Sequence, residues 1–427
     1  MSLDSWGRTP RARQVARPVR WRDEPPAFGE GPLLPRGQGR SYGDSCLNDG
    51  GVLLTTGGLD RFVSFDEESG VLRCEAGATL GAILELTVPR GFFLPVLPGT
   101  KHVSVGGAIA NDIHGKNHHR AGSFGRHVKS LELLRSDGSR RLLGPEDPLF
   151  RATVGGLGLT GLITWAEIQL VRVPGPCLRT EALRFERLEE FEQLTRESDA
   201  EWEYTVAWID CLSKPPGRGV FLRGAHAEGS MCGPSRRLSV PVDFPPAVLN
   251  PWTVRAFNRL YRWAARPGIR LAHYDPFFFP LDSVDGWNRI YGRPGFFQFQ
   301  CVVPRMDTIR SLLDRVAAAG TGSFLSVLKT FGDAPSPGLL SFPRPGLTLT
   351  LDFANRGPAT WALLEALEVE AREAGGALYP AKDARMSRET FLRSSPRLEE
   401  FLPHLDPAFS SSFWRRVSAQ GPLHTPF

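Results

Sequence analysis

The chain is predicted to fold as an α+β protein of two lobes, on three observations. Its 427 residues at 41% hydrophobic composition exceed what one ordinary core takes up, so two domains with a cleft between them are expected. The stretch 25–175 reads as short strands punctuated by glycine-rich turns, with little helix. From 176 onward, helical patterns alternate with strands whose apolar residues keep a period of two. The expected division is a flexible basic segment at 1–24, a first domain at 25–175, a second domain at 176–370 built on an antiparallel sheet flanked by helices, and a C-terminal segment at 371–427.

Taken in order, residues 1–32 are rich in Arg, Pro and Gly and lack the apolar run of a signal peptide, so a loose tail is expected. The apolar pair Leu33-Leu34 then leads into Pro35-Arg36-Gly37-Gln38-Gly39-Arg40-Ser41-Tyr42-Gly43-Asp44-Ser45, a turn of N–H donors with Arg36 and Arg40 available to neutralise phosphate oxygens. Its spacing is not GxGxxG, and no GxxxxGK[ST] occurs anywhere, so nicotinamide and P-loop folds are disfavoured. Strands are expected at 51–56, 62–66 and 71–75. A helix over 77–88 takes Thr79 as its cap and stops before Pro89. Gly99 and the run Ser104-Val105-Gly106-Gly107 free further backbone N–H groups for an anion, and strands at 128–135 and 161–171 close the domain.

In the second domain, Asp307 caps a helix ending at Gly320, and Pro358 opens another ending at Gly375-Gly376. A third helix, 250–266, starts at Asn250-Pro251. It carries Trp252, Ala256, Leu260 and Trp263 on one side and Arg255, Arg259, Arg262 and Arg266 on another, which suits either ordinary packing with a solvated basic face or a resting place on anionic headgroups. Three strands alternate polar with apolar residues: Gln298 and Gln300 in 296–302, Lys329 in 324–330, and Thr348, Thr350 and Asp352 in 347–353. Those polar faces either look into water or combine into one surface for a hydroxyl-rich ligand.

The densest chemistry lies in Asn111-Asp112-Ile113-His114-Gly115-Lys116-Asn117-His118-His119, bounded by glycines where backbone can approach a ligand closely. Adjacent His118 and His119 have no third ligand at a recognisable spacing, so no metal is expected. The formal charge of +5 suits an anionic cofactor or substrate, and no nucleic-acid module is present. Six scattered cysteines without CxxC imply reduced thiols and no disulfide framework. With no apolar run of spanning length, a cytoplasmic protein is expected.

The succession RGxGRSYGD (36–44), PGT (98–100), SVGGAIA (104–110), DIHGKNHH (112–119), AGSFG (121–125) and TVGGxGLTG (153–161) resembles the vanillyl-alcohol-oxidase, or PCMH-type, FAD-binding family. Within that family it is similar to the flavoprotein oxidase subunits of decaprenylphosphoryl-ribose 2′-epimerases. The likeness continues through 207–210, 279–282, 287–292, 298–300 and 378–383.

The resemblance implies a PCMH-type FAD domain roofed by a substrate domain, with the C-terminal segment returning to the FAD domain. FAD would lie against 35–45, Gly99, Ser104 to Gly107, Asn111 to His114, Ile163 and Tyr379. Lys382, His114 and Lys116 would serve the reaction, and Lys116, Gln298, Gln300, Lys329, Thr350 and Lys382 would meet the substrate. The implied reaction takes a hydride from a sugar's secondary alcohol to flavin N5, as the first half of an epimerisation of a polyprenylphosphoryl ribose that an NAD(P)H-dependent short-chain reductase completes. A lipid-linked sugar further implies peripheral contact with the inner membrane. Two departures stand out: Asp44, not histidine, follows Gly43, so FAD is expected to be non-covalent, and Thr350 replaces a cysteine of the mycobacterial members. An oxygen-using alditol or sugar-lactone oxidase, and a non-catalytic flavin binder, remain as alternatives.

Overall fold

The computed structural model describes residues 2–24, 26–29, 31–229 and 238–418. Its first lobe opens with three parallel strands, β1 (Val15–Pro18), β2 (Leu33–Arg36) and β3 (Val52–Thr55), β3 lying in the middle. The expectation of a loose N-terminal segment is therefore corrected. β1 pairs along its length with β3, the Trp6 and Gly7 N–H groups donate to the Ser41 and Tyr42 carbonyls, and Arg8 forms an ion pair with Asp243. Such a segment is held by the backbone of distant residues, which leaves no periodicity in its own sequence.

A five-stranded antiparallel sheet follows, in the order β4 (Phe62–Asp66), β5 (Val71–Glu75), β8 (Leu162–Gln169), β6 (Val128–Leu134), β7 (Arg140–Leu143). Helix α1 (Leu80–Thr87) begins where the Thr79 hydroxyl accepts the Ala82 N–H, and Pro89 turns it into a short 3-10 stretch. The small residues after Ser104 form helix α2 (Val105–Ala110) instead of an open turn, because the Ser104 hydroxyl caps it by accepting the Gly107 N–H. Leu72, Ile83, Val105, Leu131 and Ala166 bring both helices and the sheet into one core.

The second lobe is an eight-stranded antiparallel sheet. Its order is β12 (Arg270–His273), β9 (Cys177–Phe185), β11 (Gly219–Ala227), β10 (Tyr204–Ile209), β14 (Ser326–Phe331), β15 (Gly346–Ala354), β13 (Phe296–Val303), β16 (Ala377–Leu378). Helices α3 (Leu188–Ser198), α5 (Met306–Ala318) and α6 (Pro358–Glu373) cover one face, packing Phe191, Ile309, Leu312 and Leu367 against Phe221, Phe299, Leu349 and Leu351. Asp307 lies in the first turn of α5 and Arg305 takes the cap position. Helix α4 (Pro251–Ala264) carries a capping box at Asn250. No helix among the described residues is long and apolar enough to cross a membrane.

Beyond α6 the chain returns to the first lobe, where the Leu33 N–H donates to the Ala408 carbonyl and the Ser410 N–H to that of Leu33; α7 (Ser412–Val417) follows. The expectation of reduced thiols is corrected at Cys177, which is disulfide-bonded. Spacing along a chain does not report which thiols the fold brings together.

Candidate active site

The uncovered face of the large sheet looks across a cavity of about 1160 Å³ at the glycine-rich loops of the first lobe. Gly37 is glycine for a reason of space: a Cβ there would lie 2.1 Å from the Ser104 hydroxyl that caps α2. Gly43 is tighter still, its added Cβ meeting the Asp383 carbonyl at 1.7 Å. This one loop is thus pressed at its start onto α2 and at its end onto the segment that carries Lys382.

Arg36, the last residue of β2, stands just before Gly37, and Arg40 lies between the two glycines. Arg36 donates to the Asp4 carbonyl at 2.8 Å, Arg40 lies 4.3 Å over the Trp6 ring, and each has a buried Nε with no partner. Burial pushes the Arg40 guanidinium down from its ordinary pKa. Two cations with unspent donors beside a run of exposed backbone N–H groups fit a diphosphate, and the cavity has room for a dinucleotide and a substrate together.

Of the residues predicted to meet the cofactor, Pro35, Arg36, Gly37, Gln38, Gly39, Arg40, Ser41, Tyr42, Ser45, Gly99, Ser104, Gly106, Gly107, Asn111, Ile113, His114, Ile163 and Tyr379 line the cavity. Four do not. Gly43 backs onto Asp383, and Val105 is wholly buried in the first-lobe core. The Asp44 carboxylate accepts two bonds from Arg416, each 2.8 Å. Asp112 turns away from the cavity to accept the Gly125 N–H at 2.8 Å and the Ser341 hydroxyl at 2.5 Å. All four support the loops and leave contact to their neighbours.

The roof is the polar face foreseen in three strands. Gln298 stands opposite Asp352, Gln300 opposite Thr350, and Lys329 opposite Thr348, so the rows form one continuous surface. Gln298, Gln300, Thr348, Thr350 and Asp352 are all buried, which overturns the water-facing reading. Gln298, Gln300, Lys329 and Thr350 line the cavity, with Asp352 behind Gln298, from which it accepts a hydrogen bond; Tyr291 donates to the same carboxylate at 3.4 Å.

Three lysines converge on this space. Lys116 donates to the Phe278 carbonyl at 2.9 Å, Lys329 to Nδ1 of His114 at 3.2 Å, and Lys382 lies 3.9 Å over the Tyr42 ring. Asp383 takes no part in holding Lys382, since it is paired with Arg416 at 2.8 Å. Among the described residues none of the three lysines forms a salt bridge. Burial lowers Lys116 to about 8, opposed by Asp282. Lys329 falls to about 7 through burial and then repulsion from Lys116 and Lys382. Lys382 is likewise lowered by burial, and Asp352 opposes the shift while its own carboxyl is pushed up by burial.

Burial, followed by Lys329, holds His114 well below its ordinary pKa, so the ring is neutral. The Gln300 amide nitrogen lies 3.0 Å from Nε2 of the ring and also donates to the Thr348 hydroxyl at 3.1 Å. Tyr379 is fixed by its hydroxyl on the Asn111 carbonyl at 3.0 Å.

Sequence reasoning missed two walls. Residues 4–8 close the cavity beside Arg36 and Arg40, and Arg416 ties the first glycine loop to the Lys382 segment. Neither stretch carries a local motif.

Residues 27–144 match the FAD binding domain family. With that match and the cradle just described, the chain falls in the class of FAD-dependent oxidoreductases. It is 38% identical over 411 residues, 90% of this chain and 89% of the relative, to a decaprenylphosphoryl-beta-D-ribose oxidase of Mycolicibacterium smegmatis. It is also 35% identical over 365 residues to an uncharacterised Streptomyces coelicolor protein, covering 79% of this chain and 99% of that one. A Streptomyces alditol oxidase matches over 120 residues at 28% identity, 28% of this chain and 29% of that one. The chain belongs to the decaprenylphosphoryl-β-D-ribose oxidase family.

Proposed function

We propose that the protein oxidises the 2′-hydroxyl of a ribose carried on a polyprenyl phosphate, the first half of an epimerisation that a separate NAD(P)H-dependent short-chain reductase completes. The observation that carries this reading is the trio of half-buried lysines, none in a salt bridge among the described residues, set beside a hydroxyl-binding roof in the cavity that holds the FAD cradle. Cations partly withdrawn from water in this way call for an anion, and a phosphoryl group next to a sugar supplies one.

Bound FAD supplies the acceptor for the hydride that leaves the carbinol carbon. The glycine loops with Arg36 and Arg40 would hold its diphosphate, and Ile163 and Tyr379 would face its ring. Lys382, seated on Tyr42, takes or polarises the departing hydroxyl proton, its lowered pKa allowing the neutral amine near physiological pH. Gln298, Gln300 and Thr350 orient the sugar hydroxyls. Lys116 and Lys329 hold the phosphate, and His114 keeps the Lys329 ammonium in place.

The alditol oxidase match supports a second reading, oxidation of an uncharged polyol, but that substrate would leave the lysines without a counter-ion. Anaerobic titration of the oxidised-flavin absorbance separates them. Bleaching by a polyprenylphosphoryl ribose and not by free alditols is expected. Bleaching by alditols alone would overturn the proposal, and no bleaching by either would favour a flavin binder without a reaction.

A further inference from the structure

The apolar stripe of α4 faces outward. Trp252 is 79% exposed, Leu260 61% and Trp263 70%, while the helix packs inward through Val254 and Asn258. Asn258 is buried because its amide donates to Asp210 at 2.8 Å, and beside it Tyr261 lies against Trp208 and Phe257 against Phe324. Large apolar side chains outside and an asparagine inside reverse the usual order of a helix in water. Ile269 and Leu271, 59% and 51% exposed, extend the patch toward β12.

The charge that this segment itself contributes has one sign. Residues 251–273 contain Arg255, Arg259, Arg262, Arg266 and Arg270 and no Asp or Glu; Arg262 reaches away to Glu186. Tyr261, Ala264, Arg266 and Arg270 also line the cavity, so the patch borders the cavity itself. Two copies of the chain meeting here would oppose like charges.

We infer that this face rests on an anionic lipid bilayer, with Trp252, Leu260 and Trp263 in the headgroup boundary and the cavity opening beside it. Trp and Leu suit that boundary and the arginines attract its phosphates. The inference builds on the lipid-linked substrate proposed above: a polyprenyl phosphate lies in a bilayer, and an enzyme seated on it takes the sugar headgroup without extracting the tail.

The test uses the FAD-loaded full chain and vesicles of phosphatidylcholine with or without phosphatidylglycerol. Co-sedimentation with the anionic vesicles at low salt is expected. Arg255→Glu with Arg259→Glu should weaken it by at least about 25-fold, at about fivefold per arginine lost. Trp252→Ser with Leu260→Ser and Trp263→Ser should abolish the part that survives high salt. Flavin content, thermal midpoint and oxidation of a soluble short-chain substrate should stay as in the parent. No binding at low salt, binding indifferent to both sets, or a dimer that Trp263→Ser dissociates would overturn the inference. Vesicle binding is read without turnover, so a protein that binds yet oxidises no lipid-linked ribose sinks the substrate proposal alone.

Discussion

Lys329→Met should make the protein more stable while loosening its hold on an anion. Burial, with Lys116 and Lys382 behind it, lowers the Lys329 pKa from 10.5 to about 7. The folded state therefore binds this proton less tightly than the unfolded chain does. Stability is withheld in full below about 7 and recovered as pH rises from there to 10.5. At neutral pH the withheld amount has a ceiling on the order of 4 kcal/mol, from about 1.4 kcal/mol per pH unit. Losing the bond to His114 returns on the order of 1 kcal/mol, and methionine fills nearly the same volume without opening a cavity. A net gain on the order of 2–3 kcal/mol at pH 7, fading towards pH 10, is the expected outcome. Urea denaturation of parent and variant across that pH range in phosphate-free buffer measures it, and added inorganic phosphate should protect the parent more than the variant. Two curves that stay parallel over the range, or a variant less stable at pH 7, would refute the idea that the cavity holds a desolvated cation in wait for an anion.

Lys382→Met should retain FAD yet slow its reduction by substrate at least about a hundredfold in stopped flow, the scale of losing an acid–base or charge-stabilising group. In the parent the rate should rise with pH as the Lys382 ammonium loses its proton near 8, and that limb should vanish in the variant. Acid precipitation should release all the flavin into the supernatant, since Asp44 follows Gly43 and is locked on Arg416; colour left in the pellet would show a covalent link. Gly43→Ala should lower both thermal midpoint and FAD occupancy, because its Cβ meets backbone at 1.7 Å; an unchanged midpoint would show that the Asp383 segment can move.

What could be read from the sequence was local. The period-two rows at 296–302, 324–330 and 347–353 foretold one polar surface, because strand geometry ties the face of each side chain to its parity. That the surface is roofed over and not wet depended on the lobe opposite, which no strand encodes by itself. The glycine runs marked the cradle, but the split between residues that touch the cavity and residues that brace it did not follow from them. Asp112 and Asp44 read as ligands from their neighbours and are braces in fact, since their partners Ser341 and Arg416 lie hundreds of residues away. The outward stripe of α4 was visible as a pattern, yet amphipathicity alone does not say which side meets the protein.

Trp6 and Gly7 hold the carbonyls of Ser41 and Tyr42 at one end of the chain, and Arg416 clasps Asp44 and Asp383 near the other. The first glycine loop is thus pinned from both sides by segments that lie far apart along the chain. Its shape is set by long-range closure of the fold, so loosening either brace is expected to loosen the FAD cradle.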